Sequence, residues 1–186
     1  TIATAYHCVS STEKVHLQWE DDSKTTGHVI FANPKRDLAV IKLNKPVKRD
    51  YYPVIASKKP QRGEKIYTMG HPYAPFAARP KMDGTLLWSV SSGIISQNGQ
   101  TFLQTDAALN PGNSGGPIVD EETGKLVAVS VMGMKKSISE GQNFGIKTSS
   151  VKNFLAANQV KVSSSWFGSS DVAQLLEDST LYTYCN

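Results

Sequence analysis

One serine in this chain is framed for chemistry. The run Asn110-Pro111-Gly112-Asn113-Ser114-Gly115-Gly116-Pro117 places three glycines around Ser114. Glycine permits a sharply turned backbone, which exposes a hydroxyl and aims consecutive N–H groups at one point, the geometry of an oxyanion hole. Taken alone, a Gly-Ser-Gly loop is an ordinary turn. A serine also needs a base, and the base needs a carboxylate to orient it. The four histidines are His7, His16, His28 and His71. His7 lies in Thr4-Ala-Tyr-His-Cys8, and Asp37 opens the apolar run Asp37-Leu-Ala-Val-Ile-Lys-Leu43. The order His7, Asp37, Ser114 is one of the chain orders known for a Ser-His-Asp triad.

The elements that must position these residues read as short β-strands. Val15, Leu17 and Trp19 alternate with polar residues, Glu20 to Lys24 reads as a turn, and Val29 to Phe31 returns. Leu38 to Leu43, Lys65 to Met69, Leu86 to Ser96, Thr101 to Gln104 and Leu126 to Met132 are further strands, with Asn98-Gly99 as a hairpin signal. Two helices stand out. Ser149 or Ser150 can cap one bearing Val151, Phe154 and Leu155, and Asp171 can cap one bearing Val172, Leu175 and Leu176. The expectation is an all-β protein, an antiparallel barrel or sandwich ending in a helix.

The windows TAYHC, DLAVIKL and TDAALNPGNSGGP, in that order, resemble the trypsin-like serine proteases, nearest to the HtrA/DegP-type branch. The resemblance runs through Gly93-Ile-Ile-Ser96, Phe144-Gly-Ile146 and Val151-Lys-Asn153, so it covers about residues 1–158. It implies two antiparallel six-stranded β-barrels split near residues 60–65, the first incomplete at its N-terminus, followed over 159–186 by a tail with a short helix. It implies that His7 takes the Ser114 proton and Asp37 orients the imidazole, with both partners within hydrogen-bond reach of the ring. The backbone N–H groups of Gly112 and Ser114 would hold the oxyanion. Asn113 stands where digestive-type relatives carry an Asp that pairs with a freed N-terminus, so that mode of activation is not expected. Ala108 stands where trypsin-type members keep an Asp, so the pocket lacks a countercharge for Arg or Lys. Leu109 would form one wall and Ser130, Val131, Met132 and Gly133 a second edge. Gly145 would leave the third wall open, and Ser130 could also support Asp37. The implied P1 preference is apolar.

Composition sets the remaining bounds. The chain has 186 residues, with 20 Lys+Arg against 16 Asp+Glu, 39% hydrophobic and 19% charged residues. That balance excludes disorder as the main state. No apolar run approaches the ~18 residues of a membrane span. Residues 35–59 hold eight basic and two acidic groups, but aromatic platforms there are few, so solvated loop charge is expected rather than a nucleic-acid site. The histidines show no metal-ligand spacing, so no metal or other cofactor is expected. His16 and His28 read as exposed, and His71 as a loop residue. The start, TIATAYHC, lacks a charged n-region, so either an exported form has been trimmed or the protein is cytosolic; beside the resemblance, a secreted or periplasmic setting is expected. Cys8 and Cys185 are expected as two unbridged thiols, with a mutual bridge or partners outside the chain as the alternatives. The partners expected are polypeptide substrates. A catalytically silent binding module on the same fold, and a hydrolase of small esters, are the rival readings.

Overall fold

The computed structural model describes residues 1–48, 52–73, 83, 85–133, 141–162 and 171–184. Alternation at Val15, Leu17 and Trp19 buries those side chains and leaves His16 and Gln18 half-exposed, which makes Val15–Gln18 a one-sided strand, β2. A turn closed by Trp19 N–H donating to Ser23 O (3.0 Å) returns the chain as β3, Lys24–Asn33. With β1 (Ile2–Ala5) and β4 (Leu38–Leu43), these form an antiparallel sheet. The run Leu38 to Ile41 is buried at four successive positions, because β4 lies between β1 and β3 and is covered on both faces.

The first sheet is open and five-stranded, in the order β1-β4-β3-β2-β11, not a closed barrel. Its fifth strand is β11, Tyr182–Tyr184, paired antiparallel to β2 with Tyr182 opposite Gln18 and Tyr184 opposite His16. Within residues 159–186, expected as a tail with a short helix, Tyr182–Tyr184 is thus a strand of this sheet.

The second half is a closed six-stranded barrel. It is built from β5 (Lys65–Gly70), β6 (Ser89–Asn98), β7 (Phe102–Thr105), β8 (Pro117–Asp120), β9 (Leu126–Gly133) and β10 (Asn143–Lys147), in the order β10-β7-β6-β5-β8-β9. Ile66, Ile95, Leu103, Ile118 and Ala128 fill it. Burying each large aliphatic side chain contributes about 1.5–3 kcal/mol.

A second cluster joins the halves: Ala5, Leu38 and Val40 from the sheet meet Val129, Val131 and Ile146 from the barrel. Val151, Phe154 and Leu155 of helix α1 (Thr148–Ala157) cover it. The helix starts earlier than the serine caps predict. Its N-cap is Lys147, without a side-chain cap, because β10 runs directly into the first turn. Helix α2, Val172–Ser179, is capped as expected: the Asp171 carboxylate accepts from Ala173 N–H (2.9 Å) and Gln174 N–H (3.3 Å). Val172 and Leu176 pack on Met69 and Val119 of the barrel.

Candidate active site

The pairing of β1 with β4 sets the first half of the site. Ala5 lies opposite Leu38, so the residues just beyond them, a 3-10 turn at Tyr6–Cys8 and the Asp37 corner, meet at one end of the sheet. Tyr6 N–H donates to Asp37 O (3.1 Å). Asp37 closes the short Pro34–Arg36 turn at φ 53°, a left-handed position that Asp tolerates better than most residues. The corner turns its carboxylate onto His7. Oδ1 accepts the His7 backbone N–H at 2.9 Å and Oδ2 the ring Nδ1–H at 2.7 Å. With the proton on Nδ1, Nε2 keeps its lone pair. The His7 side chain is 51% exposed, so that nitrogen is open to an incoming group.

The second half is the Asn110–Pro117 loop. Asn113 N–H donates to Asn110 O (3.0 Å) and Gly116 N–H to Asn113 O (3.1 Å). Ser130 clamps the loop to β9: its carbonyl accepts Gly115 N–H (2.7 Å), its N–H donates to Gly116 O (2.9 Å), and its hydroxyl donates to Asn113 O. Gly115, at φ +86°, lets the halves touch, since a Cβ there would stand 2.3 Å from Thr4 Oγ1 of β1. The Cys8 thiol, next to His7, points at Ser114 O (3.5 Å). The fold thus brings the His7 turn against the Ser114 loop. The Ser114 hydroxyl itself donates to Val131 O at 3.0 Å, and among the described residues no hydrogen bond joins it to His7. Nor, among those residues, do the N–H groups of Gly112 and Ser114 reach an acceptor.

A histidine oriented by a carboxylate, against a glycine-framed serine between a β-sheet and a β-barrel, is an arrangement with known counterparts. The family model of the trypsin-like peptidase domain matches residues 1–129. The chain belongs to the trypsin-like peptidase family. A probable periplasmic serine endoprotease, DegP-like, of Chlamydia trachomatis is 33% identical over 128 residues, covering 64% of this chain and 23% of that protein. The serine protease Do-like HtrA of Bacillus subtilis is 30% identical over 162 residues, covering 81% and 34%. The crystal structure of the serine endoprotease from Yersinia pestis matches with a TM-score of 0.68 at 27% identity, over 85% of this chain and 53% of that one. This peptidase domain thus resembles the HtrA type, and spans about a quarter to a third of the length of those curated relatives.

Several expectations for the peptidase pocket are corrected by packing. Ala108 is exposed, and the carboxamides of Asn113 (3.4 Å, to Ala108 O) and Asn143 (2.7 Å, to Ala107 O) brace the backbone there. Leu109 packs against the barrel core. Val131 contributes its carbonyl, because its side chain is buried between sheet and barrel. Met132 and Gly133 pair with Phe144 and Asn143. Ser130 does not support Asp37, since its hydroxyl is committed to the serine loop. Gly145 does not open a wall. A Cβ there would meet Ile118 Cδ1 at 2.6 Å and Ala128 Cβ at 2.9 Å, so the missing side chain makes room for the barrel core. A cavity of about 890 Å³ borders the serine loop, lined among others by Thr4, Cys8, Ser114, Leu155 and Tyr182 and not by Ala108 or Leu109.

The residue that sequence reasoning passed over is His71. It lies in a loop, as expected, but is 4% exposed and packed between Trp88 and Tyr182. Burial pushes its pKa down from 6.5 to about 4, with the nearby Leu181 carbonyl opposing the shift. Nothing in Gly70-His71-Pro72 signals this, because its partners are distant in sequence. His16 is half-buried and His28 exposed. Cys185 lies outside the described residues, and with it the expectation for the two thiols.

Proposed function

We propose that this domain is a serine endopeptidase acting through an acyl-enzyme at Ser114. The observation that carries the reading is the double hold of Asp37 on His7, which fixes both the tautomer and the orientation a general base needs. In the reaction His7 Nε2 takes the Ser114 proton as Oγ attacks the scissile carbonyl. The carbonyl oxygen becomes an oxyanion held by the N–H groups of Gly112 and Ser114, which have no competing acceptor among the described residues. The imidazolium then gives its proton to the leaving amine, and water repeats the cycle on the acyl ester. Before attack the Ser114 hydroxyl must leave Val131 O, and that carbonyl is then free to take a substrate N–H. The substrate class is polypeptide, with an apolar P1 residue, since Ala108 offers no countercharge to Arg or Lys. Residues 1–158 carry the chemistry and 159–186 brace them. The periplasmic names of DegP-like relatives support a secreted or periplasmic setting; among the described residues no helix is long and apolar enough to cross a membrane.

The bond from Ser114 to Val131 O favours a second reading, a protease fold that binds peptides without turnover. A fluorophosphonate probe and cleavage of unfolded casein separate the two. The endopeptidase reading expects labelling and cleavage, both lost in Ser114→Ala with the fold retained. Absence of labelling in the wild-type chain overturns it.

A further inference from the structure

His71 takes no part in the proposed chemistry, yet it touches two distant parts of the molecule. Its backbone lies under the serine loop. His71 N–H donates to Gly112 O (3.4 Å), Tyr73 N–H to Pro111 O (2.7 Å), and a Cβ on Gly112 would stand only 2.1 Å from His71 O. Gly112 sits at φ +104°, so the direction of its N–H depends on what presses against it. Gly70 extends the floor, with room for no Cβ beneath Asn113 (2.8 Å).

The His71 side chain faces the other way. Its ring stands edge-on to Trp88 (centroids 4.8 Å apart) and Tyr182 (5.1 Å). Nδ1 accepts the Trp88 backbone N–H at 3.2 Å, while Nε2, buried near the Leu181 carbonyl, makes no hydrogen bond of normal geometry among the described residues. Trp88 is held at φ 49°, a conformation a bulky residue keeps only when its surroundings enforce it. Its indole Nε1–H donates to Thr180 O (3.4 Å). Both aromatic contacts therefore lead to the C-terminal segment, which α2 anchors to the barrel and β11 to the sheet.

We infer that His71 is a positioning residue through which the docked segment Thr180–Tyr184 holds the Gly112 turn in its oxyanion-binding shape. The inference rests on the serine-endopeptidase reading for its kinetic consequence, but the mechanical link stands without it. Loss of Tyr182 or of the ring frees the floor under Gly112, so the oxyanion donor loses its aim while the substrate groove is unchanged.

The test compares the full chain with His71→Ala, Tyr182→Ala and the double variant. Readouts are kcat and KM on an internally quenched peptide with apolar P1, and amide hydrogen exchange across residues 108–116. Each single variant is expected to lower kcat about tenfold to a hundredfold, less than the roughly 10²–10³ seen for losing an oxyanion donor outright because the donor is misaimed rather than removed, with KM within about twofold. Exchange at 108–116 should quicken in both. The double variant should be no worse than the poorer single, as for residues acting along one line. His71→Asn, which keeps an acceptor for the Trp88 N–H, should recover part of kcat. Unchanged exchange overturns the link whether or not the chain is active. Faster exchange with unchanged kcat, or a loss carried by KM, overturns the positioning role. If Tyr182→Ala does not fold, Tyr182→Leu keeps bulk without the ring, and the same criteria apply to it. A wild-type chain without Ser114-dependent cleavage refutes the endopeptidase reading alone, since the exchange comparison still decides the link.

Discussion

Asp37 holds His7 at two points, the backbone N–H at 2.9 Å and the ring Nδ1 at 2.7 Å, so one carboxylate fixes both the chain and the side chain of the histidine. Asp37→Asn keeps the shape but can present an N–H to Nδ1, which drives the ring proton to Nε2 and removes the base. Peptide hydrolysis should fall on the order of 10⁴-fold in kcat, with thermal unfolding little changed. Steady-state kinetics beside a melting curve check both halves; a loss under tenfold would show that Asp37 does not set the tautomer.

A charge at the proposed pocket floor should redirect specificity. Ala108 is exposed, and two asparagine carboxamides steady the backbone there. Ala108→Asp should raise kcat/KM for P1 Arg relative to P1 Leu by at least about tenfold, the discrimination one paired charge can give. Competition between two labelled peptides measures the ratio directly.

Asn113 is 3% exposed, and among the described residues its buried Oδ1 has no hydrogen-bond partner. Asn113→Asp puts a carboxyl there whose ionised form is disfavoured by burial, raising its pKa. The folded state then holds its proton to higher pH than the unfolded state, so the variant loses stability as pH rises. The deficit against wild type should be about 2–3 kcal/mol at pH 7 and shrink toward pH 4. Urea unfolding at both pH values checks the trend, and a deficit independent of pH would sink it.

His71 makes the opposite prediction. The unfolded chain takes up a proton at this ring below about pH 6.5, while the folded chain does so only near pH 4, because the ring is buried. The unfolded state binds more protons across that window, so stability falls as pH drops, by up to ~3 kcal/mol near pH 4. The pH slope of unfolding free energy between 6.5 and 4 should flatten in His71→Asn. An unaltered slope would place the acid sensitivity elsewhere.

How much of this was legible in the sequence depended on whether the signal was local. The windows around His7, Asp37 and Ser114 were readable as a family resemblance because each is a short contiguous run, and the Asp171 cap because it acts on its own helix. Strand β11 was not. Three residues, Tyr182 to Tyr184, give too short an alternation to declare a strand, and its partner β2 sits at the other end of the chain. Gly145 misled for a related reason: its role is set by Ile118 and Ala128 across the barrel, which spacing near the serine cannot reveal. His71 likewise owes its burial to Trp88 and Tyr182.

The pairing of β2 with β11 has a consequence for how the molecule is made. The sheet that carries His7 and Asp37 gains its last strand from residues that leave the ribosome long after the others, and nothing local can substitute for them. Contacts of such sequence separation form late and slowly, because loop-closure entropy must be overcome before they stabilise anything. The barrel and the serine loop can therefore assemble on the nascent chain while His71 still lacks its Tyr182 neighbour. If the Gly112 turn depends on that neighbour, the serine loop takes its final shape only once β11 has docked on β2, however early the barrel around it closes.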